Sequence, residues 1–229
     1  MTQEQIKFHE RWFIQSTIFY RYMDNKWIEK FFDTGEIQLS SYQKHRNDNV
    51  DGIRGDIQEG INIYKIWNSK RDSHIKLERR TGDNNFILCG SYKYDEELKN
   101  KYNFDCDGCI KIKNTMGFAA EIAKQIPNYT HGLEGPAKYS PTGEIDIDGE
   151  RYGIGDLWGD GLDKNLREER VKMAFHNISI RDHSVFFSKR EKYNNQLEYR
   201  LVWSYDDVNA PESIIVKAPN ARMYCEWMK

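Results

Sequence analysis

The sequence lacks the features that mark membrane spans, secretion and disulfide scaffolds. It contains no apolar run of about 18 residues, so no membrane-spanning helix is expected. The stretch MTQEQIKFHERWF has no apolar core of the kind that a secretory signal needs, which predicts a cytoplasmic protein. Only 4 cysteines occur in 229 residues, which is too few for a disulfide-stabilised fold.

Several sequence motifs of enzymes are also missing. Neither a G-x-x-x-x-G-K loop nor a G-x-G-x-x-G turn after a strand is present, and no G-x-S-x-G marks a serine nucleophile. Cys106 and Cys109 form a C-x2-C pair without a second pair of ligands, so they predict a turn before a strand and no metal site. The net charge of -2 argues against a global basic field for nucleic acids.

Aromatic residues, in contrast, are abundant, with 14 Tyr, 11 Phe and 6 Trp. They bury a large area per residue and predict an aromatic core. Helical patterns occur near the start and in the middle of the chain, while short alternating segments typical of strands fill most of the rest. No repeat or linker is visible, so the sequence predicts a single α+β domain over residues 1–229.

The segment FYRYM, residues 19–23, has the composition of a strand. Alternation places Tyr20 and Tyr22 on one side and Phe19 and Arg21 on the other. An arginine on the apolar side requires a partner, because burying it alone is costly. The simplest interpretation of Arg21 is therefore a structural ion pair. The following segment NKWIEKFFDTG predicts a helix that ends at Gly35.

A polar stretch, SSYQKHRNDNVDG, follows the next predicted strand, EIQLSS. We expect a long loop over residues 42–60, and long loops in compact domains are often functional. Ser40, Arg46 and Asp48 are its candidates for holding a phosphate-bearing ligand through a guanidinium group and backbone N–H groups. A solvated surface loop is the alternative. The series of acids of a calcium-binding EF-hand loop is absent.

The late segment QLEYRLVW also alternates, with Gln196, Glu198 and Arg200 on one side of a predicted strand. Taken alone, this pattern is typical of a half-buried strand whose polar side faces solvent, with Glu198 and Arg200 paired.

Taken together and in order, these segments resemble the ADP-ribosyltransferase superfamily. In that superfamily a first strand of the Tyr-Arg type and a late strand with Glu/Gln-x-Glu flank a split sheet. FYRYM, KWIEKFFDTGEIQLSS and QLEYR are the matching pieces. The chain is also similar to an uncharacterised bacterial and phage family, through Phe19–Tyr22, Asn47-Asp48, and Phe187-Ser-Lys189 with Tyr199-Arg200.

Two departures limit the match to the superfamily. A Ser-Thr-Ser strand before the late glutamate is missing, and Ser184 and Ser188 are the nearest candidates. Gln196 occupies the position of the first acid of the Glu-x-Glu pair, so the acceptor stays open.

The resemblance implies a split, mostly antiparallel sheet flanked by helices, and an enzyme that uses NAD as co-substrate without a metal. It implies that Glu198 is the catalytic carboxylate and that Gln196 orients the acceptor. The implied NAD-binding residues are Tyr20, Arg21, Tyr22, Ser40, Arg46 and Asp48. Arg200 and Lys189 are expected on the acceptor side. A toxin or effector in phage–bacterium conflict would suit this activity.

Two other functions remain open. One is a non-catalytic module that binds a nucleotide or a protein, such as a phage-encoded inhibitor or sensor, which would need no Glu198. The other is a nuclease that uses the acids Asp48, Asp51, Asp56 and Glu59. The transferase hypothesis predicts that Arg21, the loop at 42–60 and Glu198 converge on one cleft, and it fails if Glu198 faces bulk solvent far from Arg21. The acceptor, protein or nucleic acid, and the oligomeric state are left open.

Overall fold

The computed structural model describes residues 18–47, 56, 58–68, 72–82, 84–96, 106–150, 163–181, 183–206 and 211–228. Their contacts divide the chain into two compact units. The first unit comprises Met1–Glu59, Gly82–Ala137 and Lys192–Lys229, and the second comprises Gly60–Thr81 and Lys138–Glu191. The assignment of residues 1–229 to one domain stays a prediction.

Thirteen strands are present among the described residues. They are β1 (Phe19–Met23), β2 (Glu36–Ser41), β3 (Ile61–Asn68), β4 (Ser73–Arg80), β5 (Asn85–Ser91), β6 (Gly108–Ile112), β7 (Tyr129–Pro136), β8 (Lys138–Ser140), β9 (Glu144–Asp148), β10 (Ser188–Arg190), β11 (Glu198–Tyr205), β12 (Ser213–Lys217) and β13 (Cys225–Met228).

The described helices lie between these strands. They are α1 (Asn25–Thr34), α2 (Tyr42–Asn47), α3 (Thr115–Ala123) and α4 (Lys164–Arg181), with short 3-10 helices at Ser184–Phe186, Glu191–Gln196 and Pro219–Tyr224.

An eight-stranded antiparallel sheet forms the first unit. The order β12-β2-β5-β1-β6-β13 is its main path, and β11 joins it by pairing with β5 and with β7. β11 pairs along β5 from Asn85 to Ser91, so β1 and β2 must share the opposite edge of β5. β2 pairs there with Phe86 and Ile87, and β1 pairs only through Tyr20 and Ser91. The sheet is therefore split along that edge.

Helices α1 and α3 contribute to the core on one face of this sheet. Ile28 and Phe31 of α1 are buried, whereas Trp27 is exposed. The helix ends at Gly35, whose φ of 79° is easily adopted only without a side chain and whose N–H donates to the Phe31 carbonyl. The predicted helix and its end are thus confirmed.

The second unit contains two small sheets. β3 lies in the middle of a three-stranded sheet, antiparallel to β4 and parallel to β9. β8 and β10 form a parallel pair. Alternate residues of β3, Tyr64 and Ile66, pack with Ile147 of β9 and with Ala174 and Ile178 of α4 to form a core of its own.

The α+β class with a mostly antiparallel sheet is confirmed. Over the described ranges, no helix is both long enough and apolar enough to cross a membrane.

Candidate functional site

Strand β11 is buried along its whole length, on both faces of the sheet. Glu198 is 4% exposed and Arg200 is 0% exposed. The alternative in which these two side chains form a solvent-facing surface is therefore wrong. Neighbouring elements cover the polar side of β11, which the alternating pattern alone does not reveal.

Gln196 does not belong to this strand, contrary to the sequence prediction. β11 begins at Glu198, and Gln196 is the last residue of the 3-10 helix Glu191–Gln196. Between them Leu197 has a φ of 46°, which breaks the extended backbone. The Leu197 N–H bonds back to the Asn194 carbonyl, as expected for a turn. Only Glu198 and Arg200 keep the predicted alternation.

The strand register defines which side chains share a face with Glu198. Glu198 lies opposite Ser91 of β5, and Ser91 lies opposite Tyr20 of β1. Because directly opposed residues point to the same side of a sheet, Tyr20 shares the face of Glu198. Arg21, the next residue, points to the other face.

Arg200 lies at the centre of a group of charged side chains that we call the polar cluster: Arg46, Glu59, Glu198 and Arg200. Its Nε lies 2.5 Å from Oε1 of Glu198, and its Nη2 lies 2.8 Å from Oε1 of Glu59. Arg46 donates from Nη1 to the Glu59 carbonyl at 2.8 Å. Two arginines and two glutamates thus meet in a buried volume, and their formal charges balance.

Burial and the carboxylates act in opposite directions on Arg200. Burial lowers the pKa of its guanidinium, but the nearby carboxylates of Glu198 and Glu59 raise it, and the net pKa is above its usual value. Arg200 is therefore permanently charged. Tyr42, whose ring centre lies 6.0 Å from the guanidinium carbon, is fully buried, and that burial raises the pKa of its phenol.

The segment predicted as a loop over residues 42–60 contains a helix, α2, at its start. Its last turn carries Arg46, which is 8% exposed and reaches the polar cluster. A solvated surface loop is thus the wrong description of residues 42–47. Asp48 lies outside the described residues, so its predicted role stays a prediction.

Three tyrosine rings lie together in the first unit. Tyr94 packs against Tyr20 with ring centroids 5.5 Å apart and against Tyr22 at 6.3 Å. Tyr22 is fixed through its hydroxyl, which donates to the Asp95 carbonyl and accepts from the Asp95 N–H. Burial raises the pKa of Tyr22 to about 12. The shared contact with Tyr94 agrees with the prediction that Tyr20 and Tyr22 point the same way.

Arg21 has a different environment from the one expected for a phosphate ligand. Its Nη1 donates to the Cys89 carbonyl at 2.5 Å, on the edge of β5 that β1 and β2 leave unpaired between them. Among the described residues this partner is a backbone carbonyl, whereas we predicted an ion pair. The structure therefore does not bring Arg21 together with Glu198 on one face.

The strand register places two further candidates. Ser40 is in β2, opposite Ile87 of β5 and Ser213 of β12. Lys189 is in β10 of the second unit, opposite Tyr139 of β8.

Glu59 contacts both arginines of the polar cluster, which its residue type alone does not indicate. It was considered only as a nuclease acid, yet its side chain binds Arg200 and its carbonyl accepts from Arg46. Asp56 forms a tight turn with it, because the Glu59 N–H donates to the Asp56 carbonyl. Glu59 and Arg200 are far apart in the sequence, so their contact can be recognised only when the fold is known. Within the described residues, no group of three or more metal-binding side chains occurs.

Comparison of the chain with protein-family models, with curated proteins and with solved structures gave no match in any of the three. Its function must therefore be inferred from the site.

Proposed function

We propose that the first unit carries the active site of an NAD-dependent enzyme of the ADP-ribosyltransferase type, with Glu198 as its catalytic carboxylate. One observation supports this proposal above the others. The carboxylate of Glu198, held by the permanently charged Arg200, points to the same face of the sheet as the ring of Tyr20.

The chemistry requires a fixed negative charge. The bond between C1′ of the ribose and the nicotinamide nitrogen breaks, and nicotinamide leaves with the electron pair as a neutral molecule. Positive charge then develops on the ribose, as in glycoside hydrolysis. Glu198 would stabilise that charge and accept a hydrogen bond from the 2′-hydroxyl. A nucleophile then forms a bond to C1′ and releases its proton.

Arg200 acts on this carboxylate as a positioning residue. It contacts Oε1 of Glu198 and is itself held by Glu59, so the carboxylate is kept in one orientation. Preorganised charge of this kind acts strongly where water is excluded, because the local dielectric is low.

Three side chains could contact NAD in this proposal: Tyr20, Tyr94 and Arg46. Tyr94 is 37% exposed and presents a ring face on which nicotinamide or adenine could stack. Arg46 lies in the polar cluster and can pair with a phosphate. A carboxylate that is 4% exposed reaches a substrate only after neighbouring side chains move. The proposal therefore requires the contact between Glu59 and Arg200 to open when NAD binds.

The test compares the wild-type chain with Glu198→Gln, which keeps the size of the side chain and removes its charge. The proteins are incubated with NAD labelled in the adenosine part and with bacterial lysate, and released nicotinamide and transferred label are measured. We expect at least about a 100-fold loss of rate for Glu198→Gln, the size typical of removing an electrostatic catalytic group.

Glu226→Gln is the matched control, because Glu226 is an exposed residue of β13 in the same unit. It should keep the wild-type rate. A wild-type chain that neither consumes NAD nor transfers label would refute the proposal. Equal rates for wild type and Glu198→Gln would remove Glu198 from the mechanism. The predicted role in phage–bacterium conflict adds one expectation, that expression of the wild type but not of Glu198→Gln arrests bacterial growth.

The second candidate is a non-catalytic module that binds a nucleotide or a protein. The polar cluster is balanced in charge and nearly buried, and buried ion pairs of this kind can be purely structural. This observation favours the non-catalytic module, which needs no catalytic Glu198. Calorimetric binding of NAD without release of nicotinamide would support this candidate. No observation favours a nuclease, and two of its four proposed acids, Asp48 and Asp51, lie outside the described residues.

A further inference from the structure

The second unit contains a cavity of about 520 Å³ that the proposed function does not use. Every residue of β8 and of β9 lines it, together with Ser184 and Ser188.

The cavity faces the edge of β9 and not one of its faces. Successive side chains of a strand point to opposite faces, so a cavity lined by all five residues Glu144–Asp148 must lie along the backbone edge. The other edge of β9 is occupied by β3 over its full length. No strand among the described residues pairs with the edge that faces the cavity.

The hydrogen bonds to β3 show which backbone groups point into the cavity. The Gly143 carbonyl accepts from the Ile63 N–H, and the Gly149 N–H donates to the Trp67 carbonyl, so odd-numbered positions face β3. In a parallel pair, the next residue along directs its N–H and carbonyl to the opposite edge. The backbone groups of Asp146 and Asp148 therefore point toward the cavity. The N–H of Glu144 is used locally, by the Thr142 hydroxyl.

The opposite wall of the cavity is also a strand. β8 pairs with β10, and all three residues of β8 line the cavity. Residues 141–143 join β8 to β9, yet these two strands do not pair with each other. A gap thus separates two consecutive strands.

The charge of the lining is mainly negative. Glu144, Asp146 and Asp148 alternate along β9 and share one face. Lys138 is the one lysine of the lining, while Lys65 lies opposite Asp146 on β3 and Lys76 of β4 pairs with Glu144. Glu144 is ionised at neutral pH, because its hydrogen bond to Lys76 lowers the pKa of its carboxyl. Asp146 is fixed by the indole N–H of Trp67 at 2.9 Å. Three carboxylates spaced every second residue match cations that are spaced in the same way on an added strand.

We propose that the open edge of β9 binds an extended segment of a partner protein, rich in lysine or arginine at alternate positions, as an additional strand. The backbone groups of Asp146 and Asp148 would supply main-chain hydrogen bonds, and the row of acids would select the basic side chains. This interaction surface lies wholly in the second unit and does not depend on the proposed enzyme activity.

The first test measures peptide binding to the full chain by fluorescence anisotropy at about 0.15 M salt. The probe is a labelled peptide of about seven alternating lysine and valine residues, close to an ordinary strand length. One control peptide has glutamate in place of lysine, and a second carries methyl groups on alternate backbone nitrogens. We expect each control to bind at least about tenfold more weakly than the probe, since each loses one of the two interactions.

Protein variants locate the binding on β9. Asp146→Lys with Asp148→Lys should reduce binding of the probe at least about tenfold through like-charge repulsion. Glu78→Lys is the matched control, because Glu78 is an exposed residue of β4 outside the cavity, and it should bind as the wild type does. Equal binding by the double variant and by the control would overturn the proposal.

The second test uses amide hydrogen exchange followed residue by residue. The Asp146 and Asp148 amides should exchange quickly in the free chain and slowly with the probe bound. The Ile145 and Ile147 amides, which point to β3, should be slow in both states. If the Asp146 and Asp148 amides are already slow in the free chain, another segment of this chain or a second copy covers the edge, and the proposal fails.

Discussion

Two buried glutamates lie on neighbouring strands of the first unit, one beside a cation and the other without one among the described residues. Glu198 of β11 is 4% exposed and Glu134 of β7 is 3% exposed. Glu198 is paired with Arg200, in the polar cluster. Glu134 lies opposite Leu201, on the other face of the sheet, and no described residue forms an ion pair with it. The hydroxyl groups of Thr115 and Tyr199 lower the pKa of its carboxyl, but neither carboxyl oxygen has a hydrogen-bond partner of ordinary geometry among the described residues.

The difference shows how each face of the sheet accommodates an acid. Burial raises the pKa of Glu134, and the hydroxyl groups of Thr115 and Tyr199 only partly oppose that shift. Burial therefore disfavours the charged form of Glu134. Glu198 has a permanent cation beside it, because the pKa of Arg200 is raised by the carboxylates around it. The α3 face thus disfavours the charge of a buried acid, whereas the opposite face supplies a cation for it.

The largest effect is expected when Arg200 is replaced. Arg200→Met keeps an unbranched side chain but leaves Glu59 and Glu198 buried without their cation. Breaking a buried ion pair in this way costs about 3–5 kcal/mol, so we expect a loss of that size in the free energy of unfolding, measured with urea at pH 7.

The control for Arg200→Met restores the charge balance of the polar cluster. Arg200→Met combined with Glu198→Gln leaves one arginine and one glutamate, Arg46 and Glu59, so the formal charges balance again and most of the lost stability should return. If Arg200→Met alone unfolds at the wild-type urea concentration, the contact is not the structural centre of that face.

A smaller loss is expected for Glu198→Gln. Arg200 keeps Glu59 as its counter-ion, so only one charged hydrogen bond is weakened. The expected cost is about 1.5–3 kcal/mol, again from urea unfolding at pH 7. The same measurement is needed for the enzyme test, because that test requires the Glu198→Gln chain to be folded. A gain in stability would mean that Glu198 is strained, as an active-site acid can be.

The smallest effect, with the opposite sign, is expected for Glu134→Gln. A group whose pKa is raised on folding contributes stability below its unfolded pKa, and this contribution is lost as pH rises through the folded pKa. Since glutamine does not ionise, Glu134→Gln should be more stable than wild type at pH 7, and the difference should shrink toward acid pH. Thermal unfolding at several pH values measures it. A difference that grows toward acid pH would contradict the assignment.

The parts of the fold that depend on local sequence were predictable. Helix α1, its end at Gly35 and strand β1 follow from apolar spacing and from the conformational freedom of glycine. The common side of Tyr20 and Tyr22 follows from strand alternation. These features depend only on residues close together in the chain, so they can be predicted from one sequence.

The polar cluster could be predicted only in part, because its contacts join distant segments. Arg46, Glu198 and Arg200 were identified by residue type, but Glu59 was not recognised as their link. The alternation of Glu198 and Arg200 is the same whether that side faces water or a covering segment, so burial could not be deduced. The left-handed backbone at Leu197, which removes Gln196 from the strand, has no signal in its residue type, since leucine rarely adopts it.

The split edge of β5 has a mechanical consequence. β1 pairs with β6 at five positions but with β5 at one, Tyr20 with Ser91, and the Arg21 guanidinium adds one bond to the Cys89 carbonyl. β13 is attached to β6. Under a pulling force applied across the sheet, β1, β6 and β13 would separate together from β5, because few bonds hold β1 to β5.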